Sequence, residues 1–168
     1  MKAGLIAAAA LALGACGLHP LYGGGQSGGV ASTLRSVEVG PISGRVGWLV
    51  RTKLVDRLAG RAGANAAYRL DVELDDDITG LGIRGDRATT RERRTLRARY
   101  RLIELSSGSV VLDATAGSDA GIDVVSSEYA TVAAEQTAAE RLSEVAADQI
   151  VARIGLFAAR TGGRVPPR

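Results

Sequence analysis

The chain reads as an α+β domain, a two-layer sandwich with two helices packed on one face of a four-stranded sheet, in the order β-α-β-β-β-α. Three observations predict it. Tyr68 to Asp75 alternates apolar and polar residues cleanly, and Arg91 to Leu105 alternates again, the period-2 mark of half-buried strands. From Arg45 to Ala59, and from Glu128 to about Ala159, apolar residues recur instead at helical spacing. Such elements hide their apolar faces together when both helices lie on one side of the sheet.

The first element is a short strand over Ser36 to Ile42, with Val37 and Val39 on one face and Gly40-Pro41 closing it. The first helix carries Val46, Leu49, Val50, Leu54 and Leu58, and Gly60 and Gly63 end it. In the second strand Tyr68, Leu70, Val72 and Leu74 face one way; Arg69, Asp71, Glu73 and Asp75 face the other. Asp76 to Thr90 is expected to be a long connection, holding Gly80-Leu81-Gly82-Ile83 and Gly85. The third strand then places Leu96, Ala98, Tyr100 and Leu102 on one parity and Arg91, Arg93, Arg97, Arg99 and Arg101 on the other. Ser106-Ser107-Gly108 makes a tight turn into a fourth strand, Ser109 to Ala116, with Val110 and Leu112 inward. These three strands form an antiparallel meander.

Asp119 to Ser127 is expected to be a linker. Ser126 or Ser127 can cap the final helix, and Glu128 suits its positive end. Ala134, Ala138, Leu142, Val145, Ala146, Ile150, Ile154 and Phe157 make its apolar stripe, opposite Glu135, Glu144 and Asp148. Small residues in that stripe let the helix lie close on a sheet. Gly155 is its weak point, and Arg160 suits its negative end. No internal repeat is visible.

The N-terminus speaks of export. Met-Lys-Ala precedes a run of about a dozen apolar or small residues, the layout of a secretory signal peptide and too short for the roughly 20 residues of a membrane-spanning helix. Leu13-Gly14-Ala15-Cys16 resembles the lipobox of bacterial lipoproteins. That resemblance implies cleavage before Cys16 and acylation of its sulfur and new amino group. Each buried methylene adds about 0.8 kcal/mol, so two or three acyl chains anchor firmly. The alternative is an ordinary signal peptide with Cys16 an unrelated thiol. Gly17, where an Asp would favour inner-membrane retention, leans toward the outer membrane. The expected division is 1–15 leader, 16–33 lipidated flexible tether, 34–160 single domain and 161–168 disordered tail.

Chemistry is scarce. The single histidine, His19, stands in the tether, so nucleophile–histidine catalysis has almost nowhere to be built. One Cys and one His do not make a zinc site, and Asp75-Asp76-Asp77 lacks the glycine and glutamate placements of an EF-hand loop. The glycine spacing from Gly80 to Gly85 matches no phosphate-binding loop. Neither an enzyme nor a cofactor is expected.

The net charge of +3 falls by one when Lys2 leaves with the leader. Its distribution matters more. Same-face residues two apart on a strand lie about 6.5 Å from each other, so the arginine row needs neutralising partners. Asp71, Glu73 and Asp75 on the neighbouring strand supply some, and exposed pairs of this kind add little stability. The surplus falls at Arg91, Arg93 and Arg94. With Arg97 and Arg99 these are candidates for binding phosphate, for which the planar guanidinium fork is suited. In an exported lipoprotein the abundant phosphate ligand is lipopolysaccharide, and no nucleic-acid partner is expected. A paired, solvated face or a protein contact are the other readings.

Cys16-Gly17-Leu18-His19-Pro20-Leu21-Tyr22-Gly23 resembles the start of mature lipopolysaccharide-assembly lipoproteins of the LptE type. The similarity continues in the helix–strand–strand–strand–helix order and in the final helix, entered by Ser127-Glu128-Tyr129-Ala130. The resemblance implies a non-enzymatic partner of the outer-membrane β-barrel LptD, sitting largely inside the barrel and helping deliver lipopolysaccharide. The connection with Leu81, Ile83 and Arg84 is then a candidate tip pointing into the lumen, or else an ordinary hairpin connection. The competing readings are an auxiliary periplasmic lipoprotein of a lipid or small-molecule export system, and a purely structural tether.

Overall fold

The computed structural model describes residues 28–58, 66–83 and 89–162, with 82, 83, 89 and 90 described as backbone only. Cys16 and its leader, most of the tether with His19, Arg84 and the tail from residue 163 lie outside the described residues.

Seven elements follow in order: α1 (Gly29–Arg35), β1 (Val37–Val39), α2 (Gly44–Arg57), β2 (Tyr68–Ile83), β3 (Thr89–Glu104), β4 (Val110–Asp123) and α3 (Glu128–Arg160). The sheet order is β1-β2-β3-β4, with β1 parallel to β2 and the rest antiparallel. The fold is the expected α+β sandwich with one helix added at its start.

That helix, α1, takes up residues assigned to the tether. Seven residues are too few to hold a helix in water. Here Leu34 is buried and Val30 packs against the core, and the Ser32 and Thr33 hydroxyls donate to the Gly29 carbonyl. Tertiary packing makes this helix, and no local pattern announces it.

The strands are longer than their sequence patterns. β2 and β3 keep one register from Tyr68↔Glu104 to Leu81↔Arg91, so residues 76–81 are strand and not connection. The aspartate run and Gly80 read locally as turn signals. Pairing with β3 overrides them, and Arg94, diagonal to Asp76 across the ladder, takes its carboxylate. β4 likewise runs on to Asp123, through residues expected as linker. Gly117, at φ 152°, does not end the strand. The turn at Ser106-Ser107-Gly108 stands as expected, with Gly108 at φ 70° and its N–H donating to the Glu104 carbonyl at 2.8 Å.

In α3 the cap is Ser127, whose side chain accepts from the Ala130 N–H. Its buried stripe includes Ala138, Leu142, Ala146, Ile150 and Ile154, joined by Ala139, Ser143 and Ala147. Gly155 is buried and the helix continues through it, whereas Val145, expected in the stripe, is half outside. Leu54, Leu58, Leu70, Leu96, Leu102, Ile150 and Ile154 are fully buried and form the centre of the core. Tyr68 meets Phe157 edge-on, with ring centroids 6.1 Å apart. Among the described residues, no helix is long and apolar enough to cross a membrane.

Candidate functional site

Strict alternation in β3 buries Leu96, Ala98, Tyr100 and Leu102 beneath the helices and turns the odd-numbered arginines to the outer face of the sheet. Arg91, Arg93, Arg97 and Arg99 are exposed there, as their parity requires. The acids expected to meet them stand directly opposite: Asp71↔Arg101, Glu73↔Arg99 and Asp75↔Arg97.

The ion pairs that form are drawn from both sides. Glu73 pairs with Arg101 at 3.2 Å, while Asp71 is taken by Arg69 of its own strand at 3.0 Å. Arg99 turns the other way, to Asp113 of β4 at 3.0 Å, and Arg91 reaches Asp123 at 3.3 Å. The hydrogen bond from Arg99 holds the Asp113 carboxyl below its ordinary range, and the nearby charges of Arg99 and Arg101 act the same way. Arg97 donates to the Leu96 and Ser118 carbonyls.

The acids of β4 are not among those expected to meet the arginines: Asp113 lies in the expected strand on its polar parity, and Asp119 and Asp123 fall in the expected linker. Asp113, Thr115, Gly117, Asp119, Gly121 and Asp123 share one parity, and continuing the alternation from Asp113 past Gly117 reaches Asp119 and Asp123. With them included, Arg69, Arg91, Arg93, Arg97, Arg99 and Arg101 face Asp71, Glu73, Asp75, Asp77, Asp113, Asp119 and Asp123. The face is a cationic row between two acidic rows, with no cationic surplus overall. Arg93 is the local exception. It lies between Thr79 and Gly121, and among the described residues no carboxylate is within ion-pair distance.

Arg94 belongs elsewhere. Its even parity puts it on the opposite face, under α3, and not beside Arg91 and Arg93. Its Nε and Nη2 donate to the two carboxylate oxygens of Asp76 at 2.8 and 2.6 Å, and its Nη1 donates to the Glu135 carbonyl of α3 at 2.9 Å. The side chains are only 12% and 23% exposed. Hydrogen bonding to Asp76 raises the Arg94 pKa despite the opposing cost of burial. This bidentate clamp ties the hairpin to the helix and is unavailable to a ligand. It also separates Asp76 from Asp75 and Asp77, whose parity is opposite. Among the described residues no group of three His, Cys, Asp or Glu is placed to hold a metal ion.

Of the residues of the candidate lumen tip, Arg84 lies outside the described residues and the other two are strand rather than loop. Leu81 is paired with Arg91 and half-buried, and Ile83 is paired with Thr89, so both belong to the hairpin ladder. A groove of about 640 Å³ opens at the other end of the molecule, between β1, the start of α2 and Leu105. Trp48, 65% exposed, flanks it with Arg51 and Arg69. Trp48 stands off the apolar stripe of its helix, the signal that an aromatic there is turned outward.

The fold, an antiparallel meander with a long helix packed on it, is shared with solved bacterial lipoproteins. The chain is similar to a lipoprotein from Caulobacter crescentus CB15, at 29% identity and TM-score 0.64, covering 78% of this chain and 96% of that one. It shares its fold with a minor lipoprotein from Acinetobacter baumannii (15% identity, TM-score 0.57, 73% and 92% covered). Rare lipoprotein B from Shewanella oneidensis also has this fold (13% identity, TM-score 0.58, 75% and 96% covered). Among curated proteins there is no significant sequence match. The model of the LptE lipopolysaccharide-assembly family matches residues 34–154, and the chain belongs to that family.

Proposed function

We propose that this chain is an outer-membrane lipoprotein that partners an LptD-type β-barrel in inserting lipopolysaccharide, and that it does so without enzymatic chemistry. The family match carries this reading, because residues 34–154 take in nearly all of the folded domain. Cys16 is the proposed point of lipid attachment, which would hold the domain at the membrane where such a barrel resides. The striped outer face supports a place within a polar barrel lumen, since rows of opposite charge stay hydrated or exchange partners without exposing a large apolar patch. Exposed Trp48 and Tyr129 are residues of the kind enriched at protein interfaces.

Affinity purification of the tagged chain from detergent-solubilised outer membrane is expected to bring down a large β-barrel protein. An auxiliary lipoprotein of an export system would come down without one, and that result would end the proposal.

Direct contact with lipopolysaccharide falls to Arg93, which among the described residues has no carboxylate in reach, helped by Arg91, whose pair with Asp123 is long and solvent-exposed. Replacing Arg91 and Arg93 with Ser is expected to weaken lipopolysaccharide binding several-fold at low salt and to flatten its salt dependence. Unchanged binding in the double variant would return both residues to a solvated face.

A further inference from the structure

The sheet has two long edges, and among the described residues a side chain caps outward backbone groups on one of them only, at Gly117 of β4. β1 pairs with β2 only from Tyr68 to Leu70. Beyond Leu70, no described strand lies along the outer side of β2. The phase of the ladder identifies the backbone groups left there. The Tyr68 N–H donates to the Ser36 carbonyl at 3.2 Å, and the Leu70 carbonyl accepts from the Gly40 N–H at 3.0 Å. Even-numbered residues therefore aim their N–H and C=O groups away from β3. The register does not slip as far as Leu81, so the same holds for Val72, Leu74, Asp76, Ile78 and Gly80. Asp75 to Gly80 are exposed on both parities, whereas in the facing stretch of β3 only Arg93 and Arg97 are exposed.

The β4 edge is treated differently. There the Gly117 N–H donates to Gln149 Oε1 at 2.9 Å and the Gln149 amide donates back to the Gly117 carbonyl at 3.4 Å. A side chain from α3 thus occupies the outward backbone groups there. Natural sheets blunt edges in this way to prevent unwanted pairing. Among the described residues β2 has no such cap.

Charge selects the occupant. Asp75 and Asp77 lie on the outer face with no cation in ion-pair reach among the described residues, and Asp77 accepts only from the Thr79 hydroxyl at 2.8 Å. A second copy of this chain pairing along the same edge would set acid against acid, and like charges across a pair of strands destabilise it. A basic strand reverses that sign. We propose that the edge of β2 from Val72 to Gly80 takes up an extended segment of a partner protein with Lys or Arg at alternate positions, adding a strand to the sheet. Its cations meet Asp75 and Asp77, and its alternate apolar residues extend over Leu74 and Ile78. The proposal rests on this edge and its charges, and holds whether or not the partner is a barrel.

The test uses the full chain in mild detergent and a short synthetic peptide alternating arginine with valine. Hydrogen exchange is expected to slow at the Leu74, Asp76 and Ile78 amides when the peptide is added. Ile78→Pro removes one outward donor and leaves the bonds to β3 intact, so affinity should fall about tenfold. Asp75→Asn with Asp77→Asn should also weaken binding and flatten its salt dependence, and a glutamate–valine peptide should not bind. Protection that appears along β4 instead, or no protection at all, overturns the proposal. So does equal affinity in the folded Ile78→Pro variant; if that variant fails to fold, equal affinity in the double asparagine variant decides the same way.

Discussion

Gly117→Ala is expected to lower the melting temperature by about 10 °C. A Cβ at this position would stand 2.2 Å from the Leu96 carbonyl oxygen and 3.1 Å from the Arg97 Cα. Both are backbone atoms of the central strand and cannot swing aside as a side chain would. The φ of 152° adds strain for any L side chain. Relief requires β4 to move off β3, which would also disturb the Gln149 bonds that close the edge. A loss of about 3 kcal/mol follows, at about 4 °C per kcal/mol for a domain of this size. Gly121→Ala lies on the same strand with nothing within 4 Å of its added carbon and should shift the midpoint little. Thermal unfolding followed by circular dichroism separates the two; equal shifts would show that close backbone approach is not the cause.

Arg94→Ala is the second large loss, at about 2 kcal/mol. The substitution strands the Asp76 carboxylate in a site where it is only 23% exposed and removes the donor to the Glu135 carbonyl. Leaving one partner of a shielded pair unmatched costs more than the pair itself contributes. The double variant Arg94→Ala with Asp76→Ala is therefore expected to recover part of the loss, as a double-mutant cycle in urea would record. Arg99→Ala, on the open face, should leave the unfolding midpoint nearly unchanged. If Arg94→Ala behaves like Arg99→Ala, the clamp between hairpin and helix does not contribute to stability.

These contrasts mark where local sequence signals ended. The parity of β3 correctly separated buried Leu96, Ala98, Tyr100 and Leu102 from exposed Arg91, Arg93, Arg97 and Arg99, because a fixed period of two leaves no choice of face. Arg94 breaks from that row by the same rule, yet grouping by neighbourhood in the chain placed it with Arg91 and Arg93. The length of β2 and β4 was hidden for another reason. Aspartates and glycines are poor strand formers in isolation, so Asp75-Asp76-Asp77 and Gly117 looked like breaks. Pairing to β3 decides their state. The helix at Gly29–Arg35 is a further case, since its contacts are with elements far along the chain.

By itself the sequence determined the α+β class, the order of the main elements, which residues fill the core and which face the arginines take. Each of these follows from short-range periodicity, which every few residues restate. Only the tertiary structure decided how far the hairpin extends, which acids meet which arginines, that Arg94 is a clamp, and that Gln149 caps β4 at Gly117 while among the described residues no side chain caps β2. Those outcomes depend on register between distant segments, and register is set by the fit of whole faces.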